Sequence, residues 1–455
     1  MDAQPLSPAG EAAVSRFAEQ VFAHLARIDQ RRWARAYLHG LLAAPGRKTL
    51  SNMAASLSTG STAATASLSL QQFINGSPWD WRPARRVLAG LATGDRPVRA
   101  WTATLAVIPK RGDQAVGVHR RFVPEAGRTI KCQAAPGLFV ATDRDAVPVD
   151  WSLLLDSNWT ADPERRTRAR IPETAAPRPT GELLVEMVDR LTARRPPAPL
   201  VADLTVVDDP VRLAAALAHR SVPYVLEVRP NQAVRPVLQA TTGHHGRVQQ
   251  STMPAEALFP RRRARTPGAP QPVLRGAPVL LPGLPPGLPG GRGGPVHRLW
   301  AHGGGSGGPR RYWLTDLAED APAVLALLDT VTVTRTTVDR LGADFGLLDF
   351  SGRSYSGWHH HMTLVSAAYS LGRDLAASAG ETDDRTDERT ADYTADRTGD
   401  ATLDLVGAPV GRRTGERLDT RLGERSGGRP GTRLGERLGA RTGGPAVDEN
   451  LRNSA

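Results

Sequence analysis

Four runs in the first half of the chain, VRAWTATLAVI (98–108), AVGVHRRFV (115–123), TIKCQAAPGLFV (129–140) and VPVDWSLLL (147–155), decide the fold. Each is rich in β-branched, aromatic and aliphatic residues, and the segments between them are rich in Gly, Pro and Asp. That combination reads as strands. Four in succession predict an antiparallel meander. Downstream the pattern changes: 182–191 reads as helix, 199–204 as a buried strand, 210–219 as helix and 224–228 as another strand. Strands that begin antiparallel and continue as βα units imply an α/β fold, a mixed sheet flanked by helices. A ribonuclease-H-like core has this order, and so do several other folds.

Upstream, residues 11–43 read as helix, with Val14, Phe17, Val21, Phe22, Leu25 and Ile28 recurring at three- and four-residue spacing. Gly46 breaks the pattern. A Ser/Thr/Ala stretch, Leu68–Ile74, the turn at Gly76-Ser77-Pro78 and a basic segment from Trp79-Asp80-Trp81 complete an N-terminal helical domain over 11–95. The first part of the sheet domain then occupies 96–260. Residues 261–310 begin with Arg261-Arg262-Arg263, continue in Pro, Gly and Leu and end in Gly303–Gly308, so a linker or insertion crossed by no regular element is expected. Structure resumes over 311–379 with Tyr312–Leu314, Pro322–Leu328, Val333–Leu341 and a last helix over His359–Leu375. Beyond, 380–455 repeats Arg, Thr, Gly, Glu and Asp, as in RLGER at 421–425 and 433–437, and reads as a disordered tail.

The net charge is +12, and all but three of the 58 basic residues are arginine; Lys48, Lys110 and Lys131 are the exceptions. Arginine's fixed fork of donors matches phosphate oxygens, so a surface of this kind favours nucleic acid. A GC-rich coding sequence would enrich Arg, Ala, Gly and Pro as well. Cys132 is the single cysteine, which excludes an internal disulfide framework and multi-cysteine zinc sites and leaves a buried thiol as its reading. The N-terminus lacks a leader pattern, and no apolar run approaches the roughly 20 residues of a membrane span. A cytoplasmic protein with no membrane partner is expected.

Several stretches, in order and at matching separations, carry a resemblance. They are DQRR (29–32), Tyr37-Leu38, GLL (40–42), GRK (46–48), LQQF (70–73) and SPWDW (77–81), then PK (109–110), VGV (116–118), KCQ (131–133), PVDW (148–151), VAD (201–203), Arg353-Ser354, Gly357-Trp358 and HMTL (361–364). Together they resemble the DDE transposases of the insertion-sequence 701 group, over roughly residues 15–378. The resemblance implies a ribonuclease-H-like domain and DNA transposition by metal-dependent phosphoryl transfer. It also implies double-stranded DNA partners (element ends and target), with a homodimer as one arrangement. Two Mg²⁺ ions stabilise the attacking and leaving oxygens in such chemistry, and oxygen ligands, chiefly carboxylates, must hold them.

Of the three acids the resemblance implies, only the second, Asp203, stands in place, as catalytic residue and metal ligand. The first-acid position carries Thr104 and Leu105, and the third, on a later helix, carries Thr336 beside Arg335, whose charge would repel a metal. Asp339, one turn beyond Thr336, is the nearest substitute, followed by Asp344, Asp208 and Asp209; Asp113 falls past the end of its strand. A lone Asp at a strand end is otherwise a turn or helix-cap residue. Candidate DNA contacts are Arg47, Lys48, Arg82, Arg85, Arg86, Lys110, Arg111, Lys131 and Arg353. His359, His360 and His361 are consecutive, so on a helix they point in three directions and cannot ligate one ion; a solvated helix start or phosphate contacts are the expectation, and His244-His245 reads as a polar turn. Trp79, Trp81, Trp151 and Trp358 read as core or hinge packing. Three functions fit: a DNA-binding relative with impaired catalysis and no cofactor, an active nuclease with a site rebuilt from Asp203 with Asp339 or Asp344 and Mg²⁺, and a decaying remnant.

Overall fold

The computed structural model describes residues 6–57, 62–92, 97–193, 196–237, 251–260, 274–284, 296–303 and 310–397. Five helices open the chain: α1 (Pro8–Val21), α2 (Ile28–Ala43), α3 (Leu50–Ala55), α4 (Ala63–Asn75) and α5 (Arg82–Leu91). Local chemistry sets several of their starts. The hydroxyls of Ser7, Thr49 and Thr62 accept from backbone N–H groups of the first turns of α1, α3 and α4, which satisfies donors the helix itself cannot. The apolar faces are not a separate core: Val14, Phe17, Leu38, Leu41 and Leu70 belong to the same buried cluster as Leu138, Trp151 and Met362.

The sheet begins with β1 (Ala100–Pro109), β2 (His119–Val123), β3 (Arg128–Ala141) and β4 (Ala146–Trp151). All pair antiparallel, with β1 along one edge of β3 and β2 and β4 sharing the other. After the short α6 (Ser157–Thr160) and α7 (Pro163–Ala169), α8 (Thr180–Thr192) leads into β5 (Leu200–Ala202), and α9 (Pro210–Ala218) into β6 (Tyr224–Val228). Both new strands run parallel to β1. The order β4-β3-β1-β5-β6, three antiparallel strands and then two parallel to the first, is the ribonuclease-H-like arrangement.

Past β6 the sheet continues through β7 (Ala233–Pro236), β8 (Met253–Pro254), β9 (Leu274–Leu280), β10 (His297–His302) and β11 (Arg311–Thr315), in the order β6-β11-β10-β9-β7-β8 and antiparallel throughout. This corrects the expectation that no element crosses 261–310, because β9 and β10 both lie within it. A glycine taken as a breaker is part of the reason. Gly276 pairs with Trp300, and a Cβ there would stand 2.7 Å from the indole, so the missing side chain is what lets the ring lie across the strand.

Two helices complete the described chain, α10 (Ala321–Ala343) and α11 (Tyr355–Arg397). α10 is continuous where two segments were expected; the polar link at 329–332 contains no Gly or Pro to stop it. α11 also runs past 380, where a tail was expected, and the first glycine beyond that point is Gly399. Residues 398–455 lie outside the described residues. The first half of α11 is buried on every side from Trp358 to Leu371, the signature of a core helix. No described helix is long and apolar enough to cross a membrane.

Candidate active site

Strand register brings the candidate centre together. β1 and β5 pair with Thr102 opposite Val201 and Ala103 opposite Ala202, so Thr104 is the cross-strand neighbour of Asp203 just past the end of β5. Thr102 and Thr104 project to one face, as alternate residues of a strand must. α10 crosses that face, with the Thr102 and Thr334 hydroxyls 2.6 Å apart.

Asp203 is fully buried, and its carboxylate is saturated. One oxygen accepts from the Thr104 hydroxyl at 2.8 Å and from Arg335 through Nη2 at 3.1 Å and Nε at 3.3 Å. The other accepts from the backbone N–H of Thr205 at 3.0 Å and from its hydroxyl. Unpaired, such a carboxylate would cost several kcal/mol to bury, so the ring of donors is what lets it stay. The α10 residue that reaches the acid is therefore Arg335. Thr336, the sequence-based choice for the third acid, is exposed and donates to the Thr332 carbonyl one turn back.

A second carboxylate, absent from the sequence-based candidates, lies next to it. Glu227 of β6 is buried, accepts from the Leu204 N–H at 3.1 Å and is gripped by Arg311 of β11 through two bonds of 2.6 and 2.7 Å. Its sequence signal was an acid inside the apolar run YVLEV. Two acids matched by two guanidiniums leave no surplus negative charge. A magnesium pair needs several free carboxylate oxygens in nearly octahedral geometry; here the only carboxylate at the family position has both oxygens committed to Thr104, Thr205 and Arg335. The residues present do not fit the metal. Among the described residues no cluster of three or more His, Cys, Asp or Glu is placed to hold an ion.

Two of the substitute acids are engaged elsewhere. Asp339 and Asp344 are exposed. Asp209 caps α9 and Asp208 accepts from the Gly181 N–H, while Asp113 pairs with Lys131 at 2.7 Å.

The basic candidates divide into surface and interior. Arg82, Arg86, Arg111 and Arg353 are exposed, as is Arg47, which holds Asp349 at 3.0 Å. Lys131 is half-buried. Lys110 donates to the Phe350 carbonyl at 2.6 Å, and burial, opposed by nearby Asp349, lowers its pKa to about 8. Lys48 and Arg85 are corrections, since both are buried and spend their donors inside the protein. Lys48 donates through Nζ to the Ala44 carbonyl, and burial lowers its pKa. Arg85 donates to Thr363, Asp150, the Trp151 carbonyl and the His359 carbonyl, tying α5 to β4 and α11.

The histidines are also interior, a correction to the solvated helix start. His361 sits between the Tyr37 hydroxyl at 2.9 Å and the Gly346 carbonyl at 3.0 Å. His360 stacks on Trp79 at 3.9 Å and faces the Ile74 and Trp79 carbonyls at 2.9 and 2.8 Å. A neutral ring can donate to just one of these two; burial nevertheless outweighs their pull and lowers the pKa to about 4, as it does for His361. His359 is held well below its ordinary value by burial, then by Arg85. Trp79, Trp151 and Trp358 are buried and Trp81 half-buried. Cys132 is buried and unbridged.

Comparison with known proteins gives two findings. The family described as DDE superfamily endonuclease matches residues 20–267. Among solved structures, a cryo-EM structure of piggyBac transposase in a synaptic complex with hairpin DNA is similar over 82% of this chain and 74% of that chain, at 11% identity and a TM-score of 0.41. No curated protein matches the chain.

Proposed function

This chain belongs to the DDE superfamily endonucleases, and from that premise we propose that it is a transposase relative of the insertion-sequence 701 group that binds double-stranded DNA with impaired catalysis. DDE superfamily endonucleases use divalent metals, usually Mg²⁺. The observation that carries the proposal is the Arg335 guanidinium on Asp203. A positive group stands on the one family carboxylate, and threonine stands where its first partner acid would be. Support for DNA as the ligand comes from the net charge of +12 and the exposed Arg82, Arg86, Arg111 and Arg353. On this reading the protein acts in the cytoplasm on element ends, and phosphate contacts supply most of its affinity.

The test is a supercoiled plasmid carrying the native flanking DNA, incubated with Mg²⁺ or Mn²⁺ and wild-type or Asp203→Ala protein, with duplex affinity measured in parallel at 50 and 200 mM salt. The expected result is no nicking above the Asp203→Ala background, with affinity falling at least about tenfold across that salt range. Metal-dependent nicking that disappears in Asp203→Ala would establish a working enzyme instead. Absence of salt-dependent binding would leave only a remnant.

A further inference from the structure

We propose that the cavity enclosed by α5, β4, α8 and the start of α11 is a nucleotide-binding site, with the base against its apolar floor and the phosphate at its arginine rim. The cavity measures about 520 Å³, and Asp203 is not among its lining residues. The inference therefore goes beyond the reading of duplex recognition and does not depend on the Asp203 centre.

Three features specify the ligand. The floor is aliphatic, built from Leu138, Val149, Leu183 and Met187, and calls for an uncharged body. One wall is flat: the Trp81 indole stacks on the His359 ring at 4.4 Å with 3° between planes, and Tyr355 meets His359 edge-on at 4.6 Å. The outer face of Trp81 carries the guanidinium of exposed Arg82, 5.3 Å from the ring centre, which can swing aside for a planar group.

The rim is basic. Arg82, Arg86, Arg178 and Arg190 surround the mouth, and the two acids beside them are already engaged, Asp150 by Arg85 and Arg190 and Glu186 by Arg178 and Arg190. Among the described residues Arg86 has no ion-pair partner, and Arg82 has only the half-exposed Asp80 at 3.6 Å. These two are free to take a phosphate.

One residue of the cavity lining carries a buried donor with no acceptor among the described residues. His359 is 4% exposed. Its Nδ1 lies 3.2 Å from Nη2 of Arg85, a group with only protons to give, so Nδ1 accepts and the neutral ring carries its proton on Nε2. That buried Nε2 has no partner among the described residues. Buried polar groups are normally paired; this one lies beneath the lining surface, so the floor, the wall and the rim are what specify the ligand. A base with its phosphate answers the floor, the flat wall and the rim together. A fatty acid offers nothing planar, and inorganic phosphate nothing for the floor.

The test measures binding of dAMP and dCMP to the full chain by tryptophan fluorescence and calorimetry, beside deoxyadenosine and inorganic phosphate. Three proteins are compared: wild type, Ala175→Trp, which fills the cavity from its lining loop, and the surface double variant Arg82→Glu/Arg86→Glu. Far-UV circular dichroism checks their folding. Mononucleotide binding is expected, at least about tenfold tighter than nucleoside or phosphate and at least about tenfold weaker in either variant. Competition by a duplex with a single-stranded overhang, stronger than by a blunt duplex, would place the nucleotide in a strand; equal, weak competition by both would identify a free nucleotide, and either result upholds the site. No mononucleotide binding, or binding undiminished in both variants, overturns it. Loss of mononucleotide binding in Ala175→Trp with salt-dependent binding of blunt duplex retained would uphold the cavity as a site separate from duplex recognition.

Discussion

Asp150 and Asp203 are both buried aspartates at strand ends, each held by an arginine, and they do opposite work. Asp150 pairs with Arg85 at 2.8 Å, both almost wholly inside, and its other oxygen takes the 40%-exposed Arg190 at 2.7 Å. The donors of Arg85 join α5 to β4 and α11. Asp203 is more deeply buried, yet its partner Arg335 keeps 47% of its side chain exposed. The first pair is a weld between the N-terminal helices and the sheet. The second is an acid whose cation stands at an open face and can be exchanged. Burial of the carboxylate does not distinguish the two; the presence of a buried cation beside it, Arg85 for Asp150, does.

If the α5–α11 junction is a weld, its largest vulnerability is acid. His360 and His361 have pKa values near 4 in the folded protein, whereas in the unfolded chain they titrate near 6.5. The unfolded state therefore takes up protons first. Stability is complete above about pH 6.5 and is lost progressively as the pH falls toward 4, by up to about 3 kcal/mol per histidine. Urea denaturation at pH 7 and pH 4.5 should differ by several kcal/mol; equal midpoints would break this side of the comparison. Next in size is Arg85→Met, which leaves Asp150 with Arg190 as its cation and removes five interior hydrogen bonds. Its expected cost is about 3–5 kcal/mol in chemical denaturation, and a cost below 1 kcal/mol would mean the pair is not a weld. Arg335→Ala should be the mildest. Thr104 and Thr205 still donate to Asp203 and solvent can reach the vacated side, so a cost of about 1 kcal/mol or less is expected. A loss as large as that of Arg85→Met would make Arg335 a structural residue and erase the contrast.

Much of the frame was legible because strand chemistry is local. The runs at 98–108 and 129–140 are strands in the structure, and 224–228 is one at its stated bounds. Composition misled where short elements hide in biased sequence: β9 and β10 lie in a Pro/Gly-rich stretch, and only the pairing of Gly276 with Trp300 explains why a strand tolerates that glycine. The site was half legible. Asp203 could be placed on a strand end. That Arg335 would reach Asp203, 132 positions earlier, depends on how α10 crosses the sheet. Glu227 was overlooked because Arg311, which neutralises it, lies 84 positions away. The histidine triplet misread for the same reason. Three consecutive polar residues suggest solvent, and their partners Tyr37, Ile74 and Trp79 stand in α2, in α4 and in the turn between α4 and α5.

The most direct test of the central claim, that the Asp203 centre is closed to metal by Arg335, is Mn²⁺ binding followed by electron paramagnetic resonance on wild-type protein, Arg335→Glu and Asp203→Ala. The account predicts no submillimolar Mn²⁺ site in the wild type and a gain in affinity of at least about tenfold in Arg335→Glu, where a carboxylate replaces the cation. A tight Mn²⁺ site in the wild type that vanishes in Asp203→Ala would contradict it.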